Sequence, residues 1–242
     1  MYPQSNSARS VRDLSGVWDF RFNANEPWQP IAVPASYNDQ SPDPEFRRHY
    51  GMAYYRTTFT VPEGARRVLR FDAVTHNAVV RLNGQEIASH RGGFLPFEAD
   101  ITALAQPGET VTLDVEVDNR IGHSSLPVGN EGGTAFFGSD NAGIPAVEAG
   151  KARQQAQGIN LPNFDFFNYA GITRPVHLCT TPAAYIRDVT VAADMTGTLR
   201  YTVDTVGEGS VKVEILDAED RVVACADGAA GTVQVENARL WQ

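Results

Sequence analysis

"TVTLDVEVDN", residues 110–119, sets Val111, Leu113, Val115 and Val117 at alternate positions, with Thr112, Asp114 and Glu116 between them. Successive side chains of a strand point to opposite faces, so this stretch predicts a half-buried β-strand. The same period runs outward in both directions. "YYRTTFTVP" (54–62) alternates through Tyr55, Thr57, Phe59 and Val61, then stops at Pro62. "AVVRLNGQEIA" (78–88) predicts two short strands around Asn83-Gly84, a pair that tolerates positive φ at both centre positions of a tight hairpin turn. "SVKVEILDAEDRVVACA" (210–226) predicts another hairpin, with the charged "DAED" as its connection. Helical signal is confined to a short helix with Asp43 as N-cap and Pro44 in its first turn, and to a turn or two in "GKARQQAQG" (150–158). The fold class expected is all-β.

Two stretches break the rhythm. Residues 122–162 are rich in Gly, Ser, Ala and Asn without a sustained period, and they include "VGNEGGTAFFGSDNAGIP". A connection this long inside a compact domain is usually functional or disordered. Phe136 and Phe137 are its large apolar residues, the ones expected to dock if it orders. The second break is "TTPAA" (180–184), which marks a domain boundary. A first domain over 1–182 suits a jelly-roll or other two-sheet sandwich. The remainder, 183–242, offers four or five strands, few for the ~7 of an immunoglobulin-like sandwich. A sandwich lacking its last strands exposes unpaired backbone, so the chain is expected to be a fragment or to continue.

Composition narrows the function classes. A formal net charge of -9, spread along 242 residues, disfavours nucleic acid and anionic membranes as partners. No apolar run is long enough to span a bilayer, and "MYPQSNSARSVRDLSG" lacks the apolar core of a signal peptide. No Asn-x-Ser/Thr site occurs, and Cys179 and Cys225 read as two buried thiols in a reducing compartment, so a cytoplasmic location is expected. His49, His76, His90, His123 and His177 never fall at ligand spacing, so no metal and no cofactor are expected. There is no Gly-x-Ser-x-Gly elbow, and the glycines of "RGGF" and "NEGG" read as turns rather than phosphate loops.

Among the many carboxylates, Glu98 and Asp100 in "FEADIT" are expected to point outward or cap a turn. Asp165 differs. It follows the long irregular stretch and lies among Phe164, Phe166, Phe167 and Tyr169. Flat apolar surface beside a carboxylate that accepts from hydroxyls suits sugar recognition, whereas an aspartate in a turn more often bonds nearby backbone N–H groups. A glycosidase would also need two carboxyl groups ~5–5.5 Å apart for retention or ~6.5–9.5 Å for inversion. No such pair is nominated here. The residues alone lead to two β-domains with a candidate ligand-binding loop.

A resemblance goes further. "FDFFNYAGITRPVHLCTTP" (164–182) resembles a signature segment in the sugar-binding domain of family 2 glycoside hydrolases, and of β-glucuronidases in particular. "LSGVWDFRF", "IAVPASYNDQ", "YYRTTFTVP" and "LRFDAVTHNAVVRLNGQEIASHRGGFLPFEADIT" resemble the same family in the same order. "YIRDVTV" and "ILDAEDRVVA" are similar to the immunoglobulin-like domain that follows, truncated here at "LWQ". The resemblance implies a jelly-roll (galactose-binding-like) sandwich and an incomplete immunoglobulin-like one. It also implies a C-terminal TIM barrel, not present in this chain, holding both catalytic glutamates of a retaining enzyme. On that basis no catalytic residue lies here, and Asp165 is the substrate-binding residue, reaching into the barrel's site to bond a glucuronide's hydroxyls. Homo-oligomers are expected of the full-length protein. A stand-alone carbohydrate-binding module, a β-galactosidase relative, and an interaction protein pairing through an open strand edge are the competing expectations.

Overall fold

The computed structural model describes residues 3–121, 160 and 167–238. Strands dominate it, and the chain divides into two units, Met1–Thr180 and Thr181–Gln242.

In the first unit the chain runs through β1 (Ser10–Asp13), β2 (Gly16–Arg21) and β3 (Gln29–Val33), a 3-10 turn (Tyr37–Asp39) and helix α1 (Pro44–Arg48). It continues with β4 (Met52–Thr60), β5 (Arg66–Phe71), β6 (Val74–Thr75), β7 (Asn77–Leu82), β8 (Gln85–Arg91), β9 (Phe97–Asp100) and β10 (Thr110–Asp118). After the long connection come β11 (Gly171–Ile172) and β12 (Val176–Thr181). A six-stranded sheet, ordered β3-β2-β4-β10-β7-β8, faces a four-stranded one, ordered β1-β12-β5-β9, across a single apolar core. The pair β6 and β11 forms a small antiparallel ribbon of its own.

The alternation read from the sequence decides which side chains fill that core. In β10, Val111, Leu113, Val115 and Val117 are all buried, while the residues between them are half-exposed. Both flanking pairings are antiparallel, with Val115 opposite Tyr55 on one side and Val80 on the other. The same strand carries ion pairs on its outer face, Arg56–Asp114 at 2.6 Å and Arg81–Glu116 at 3.0 Å. The hairpin between β7 and β8 turns at Asn83 (φ 50°) and Gly84 (φ 84°), the positive pair a tight turn needs. Helix α1 begins as the sequence indicates. The Asp43 carboxylate accepts from the Glu45 N–H at 2.9 Å, and Pro44 stands in the first turn. Glu98 and Asp100 are exposed, and Asp100 accepts from the Thr102 N–H at 2.9 Å.

The second unit has one sheet of β13 (Tyr185–Ala193), β14 (Thr198–Val206) and β17 (Ala230–Gln234), and a second of β15 (Lys212–Leu216) and β16 (Val222–Asp227). Its buried core is small: Tyr201, Val203 and Val233, with Leu199, Val213, Ile215, Ala224 and Ala226 packed around them. Val189 and Val191 stand directly opposite Val203 and Tyr201, hence on the same inner face, yet they are 51% and 56% exposed. One expectation is corrected here. Cys225 is exposed, because Ala224 and Ala226 take the inward positions of β16, and Cys179 is only half-buried. Burial raises the Cys179 thiol above its ordinary pKa, so it stays protonated near neutrality. The turn expected in 150–158 lies outside the described residues.

Candidate functional site

Asp165 lies outside the described residues, together with Phe164, Phe166 and all of the long connection except Asn160. What the structure shows is the base to which that aspartate is joined, residues 167–172, and the base is held by a set of buried asparagines.

Along this segment the residues alternate. Asn168 and Ala170 are buried, whereas Phe167 is half-buried and Tyr169 is 43% exposed. Asn168 is held at three atoms. Its Nδ2 donates to the Asn119 carbonyl at 2.9 Å, its Oδ1 meets Nε2 of His76, and its own carbonyl accepts from Asn160 Nδ2 at 2.8 Å. Ala170 is held at two. Its N–H donates to Asn38 Oδ1 at 2.9 Å, and its carbonyl accepts from Tyr37 N at 3.1 Å and from Ser36 Oγ at 3.1 Å.

Each partner is itself fixed. Asn119 follows β10 directly and ties it to the residues that lead into β4: its Oδ1 accepts from Gly51 N at 2.7 Å and its Nδ2 donates to the His49 carbonyl at 2.8 Å. Asn160 N donates to the Arg48 carbonyl at 2.7 Å, at the end of α1. Asn38 Nδ2 donates to the Phe46 carbonyl at 2.9 Å and the Arg47 carbonyl at 3.3 Å, so one side chain joins α1 to the segment. Such a network stabilises only when complete, since a buried polar group left without a partner costs about 1–3 kcal/mol.

His76, between β6 and β7, completes it. Because Asn168 Nδ2 is spent on Asn119, Asn168 Oδ1 must accept, and the imidazole proton sits on Nε2. Burial pushes the His76 pKa below its ordinary value, and the hydrogen bond to Asn168 opposes this only in part. The backbone at Thr75 and His76 is braced by "RGGF". The Gly92 N–H donates to the His76 carbonyl at 3.1 Å, and a Cβ at Gly93 would lie 2.8 Å from Thr75 Cα. These glycines serve close backbone packing next to the network.

The outer face of the segment meets α1. The Arg47 guanidinium lies 4.3 Å from the Phe167 ring centroid and 5.8 Å from that of Tyr169, and the two rings meet edge to face at 4.8 Å. Arg47 is paired with Asp39 on its other side. A hydrogen bond to the Tyr169 hydroxyl, then the charge of Asp39, raises the Arg47 pKa further, and the side chain stays cationic at any working pH.

Sequence reading singled out the aromatics of "DFFNYAG" and passed over Asn38, Asn119, Asn160, Asn168, His76 and Arg47. The available signal was the alternation itself: an asparagine at an inward position of a strand-like stretch needs several partners. Among the described residues no cluster of His, Cys, Asp and Glu is arranged to hold a metal ion, and no helix is long and apolar enough to cross a membrane.

Comparison with known proteins agrees with this arrangement of elements. Residues 11–182 match "Glycosyl hydrolases family 2, sugar binding domain". The solved β-glucuronidase of Faecalibacterium prausnitzii is 53% identical, superposes with a TM-score of 0.85, and is matched over 100% of this chain and 43% of its own. A β-glucuronidase of Bifidobacterium dentium, solved in complex with coumarin-3-O-glucuronide, is 44% identical at a TM-score of 0.82, over 99% of this chain and 44% of its own. The curated β-glucuronidase of Paenibacillus borealis is 36% identical, over 100% of this chain and 42% of that protein. The chain thus spans about two-fifths of the length of these relatives. A family match across most of the chain, joined to whole-chain likeness at this identity, establishes that the chain belongs to glycosyl hydrolase family 2, with its sugar-binding domain at residues 11–182.

Proposed function

We infer that this chain is the N-terminal, non-catalytic portion of a retaining β-glucuronidase. The whole enzyme removes terminal β-D-glucuronic acid, using an acid/base glutamate and a nucleophilic glutamate on a TIM barrel that follows the chain. In this reading residues 1–182 are a jelly-roll sugar-binding domain and 183–242 the start of an immunoglobulin-like domain. Asp165 is the group the first domain contributes to the barrel's site, as acceptor for sugar hydroxyls. The full-length protein is cytoplasmic and homo-oligomeric.

The observation that carries the reading is likeness along the entire chain to the Faecalibacterium prausnitzii β-glucuronidase at 53% identity. The local structure supports a role for Asp165. A segment held at both its inward residues by four asparagine and serine side-chain hydrogen bonds is built to present what adjoins it, and "DFFNYAG" places that aspartate three residues before Asn168. The coumarin-3-O-glucuronide of the Bifidobacterium dentium complex suggests aryl glucuronides as the substrate class to try first.

The test uses an aryl β-D-glucuronide and the matching β-D-galactoside. The polypeptide that contains this chain together with the barrel should cleave the glucuronide with retention, seen by NMR of the first-formed anomer, and leave the galactoside nearly untouched. Asp165→Ala should lower kcat/KM by at least about 10-fold, the loss expected when a buried sugar hydroxyl is left unpaired. The 242-residue chain alone should neither cleave nor measurably bind glucuronic acid, since one carboxylate without a cavity leaves most of the sugar in water. Tight binding by the isolated chain would replace this reading with a carbohydrate-binding module, and preference for the galactoside would replace it with a β-galactosidase.

A further inference from the structure

We propose that the first unit carries a saccharide site of its own, the cleft between the β2–β3 connection and helix α1, and that its ligand is a neutral sugar ring. The site depends neither on Asp165 nor on a barrel, so it stands apart from the glucuronidase reading.

The cleft holds about 540 Å³, inside the range of about 300–1,000 Å³ usual for small-molecule sites, and lies within the residues that match the sugar-binding family. Its apolar part is aromatic. Phe46 meets Phe22 edge to face at 4.9 Å, His49 stacks on Phe22 at 3.9 Å, and Phe22 in turn packs on buried Phe20 and Tyr37. Both walls are fixed in advance. The Asn23 carbonyl accepts from the Glu26 N–H at 3.0 Å, His49 Nε2 donates to the Met52 carbonyl at 2.8 Å, and the His49 carbonyl is held by Asn119. By contrast, the side chains of Glu26, Glu45 and Arg48 are exposed and have no hydrogen-bond or ion-pair partner among the described residues. Carboxylates accept from hydroxyls, a guanidinium donates to hydroxyl and ring oxygens, and flat rings cover the C–H face of a pyranose. Three carboxylates, Glu26, Asp43 and Glu45, against the one guanidinium of Arg48 repel an anion. His49 adds no charge near neutrality, because burial pushes its pKa below the ordinary value. An organic cation would be repelled by Arg48, whereas a neutral ring engages both kinds of group.

Amide chemical shifts of the 242-residue chain report occupancy directly. Titration with methyl β-D-glucopyranoside should give saturable shifts confined to residues 22–29 and 45–50, with a Kd of the order of 1–10 mM for an open site holding one ring. Methyl β-D-glucuronide, which differs in carrying a carboxylate on its ring, should give no saturable shift there. Glu26→Ala and Arg48→Ala, both at exposed positions, should each weaken glucoside binding about fivefold while leaving the amide shifts of the rest of the chain in place. Absence of saturable shifts with the glucoside, or shifts centred elsewhere, overturns the proposal. So does a glucuronide that binds as tightly as the glucoside, since Arg48 would then be taking an anion. Preference for methyl β-D-glucosaminide, protonated at its amine, overturns it in favour of a cation site. None of these results bears on hydrolysis by the longer polypeptide, so the cleft and the glucuronidase reading fail separately.

Discussion

His76 is buried to 1% exposure, with Nε2 engaged by Asn168 and no partner at Nδ1. Protonation would place a second N–H where no acceptor lies and would charge a desolvated ring, so folding favours the neutral form. In the unfolded chain the imidazole takes up its proton near about pH 6.5; in the folded protein it resists until lower pH. The unfolded state therefore binds more protons across that interval. The stability tied to His76 is complete above about pH 6.5 and is lost as pH falls through that value toward the folded pKa. His49, also depressed by burial, adds slope of the same sign, whereas Asp118, held below the usual carboxylate range, loses its contribution only at more acidic pH. His76→Gln keeps an N–H donor for Asn168 and removes the titration. Urea midpoints at pH 7.5 and pH 5.5 should therefore fall further for the wild-type protein than for His76→Gln. Equal falls would show that another group carries the acid sensitivity.

At the scale of elements, one of the two shortest strands is the most demanding. β11 has two residues, and its first, Gly171, sits at φ +121°. A Cβ there would lie 2.5 Å from the Tyr55 hydroxyl and 3.3 Å from the Ala35 carbonyl. Both the backbone conformation and the space exclude a side chain, so Gly171→Ala must shift either buried Tyr55 or the strand that follows Asn168 and Ala170. A loss of about 2–4 kcal/mol in chemical denaturation is expected, with Gly84→Ala in the exposed hairpin turn costing about 1 kcal/mol. If Gly171→Ala proves the milder of the two, the close approach to Tyr55 does not constrain the fold. Strands of this length leave no periodicity to read, which is why β6 and β11 escape sequence analysis while β4, β7, β10 and the two hairpins do not. Those longer elements declare themselves through alternation and through Asn83-Gly84. The base of the candidate site is the opposite case. Phe167 and Tyr169 draw attention by their size, yet the residues that fix the segment are Asn38, Asn119, Asn160 and Asn168, whose partners lie as many as 132 positions away in sequence. Spacing along the chain carries no trace of such contacts. The surrounding aromatics marked Asp165 as a candidate, and only the family resemblance gave it a sugar-binding role.

Over the whole molecule, the two units differ sharply in how much apolar surface they remove from water. The first places more than twenty side chains in one continuous core, among them fully buried Phe20, Tyr55, Phe71 and Leu113. The second buries three, and Val189 and Val191 on its inner face remain about half-exposed. At about 25 cal/mol per Å² of buried apolar surface, a core of three side chains offsets little of the conformational entropy lost on ordering five strands. Its local opening free energy should accordingly lie well below that of the first unit. Hydrogen exchange of the 242-residue chain followed by mass spectrometry should show β13–β17 amides exchanging at least about 10²-fold faster than those of β4, β7 and β10. In the longer polypeptide, chain that covers Val189 and Val191 should slow exchange in β13 and β14 while leaving β10 unchanged, because the first unit's core is already closed. Equal protection of both units in the isolated chain would mean that five strands with three buried side chains suffice, and that the uncovered valines cost the second unit nothing.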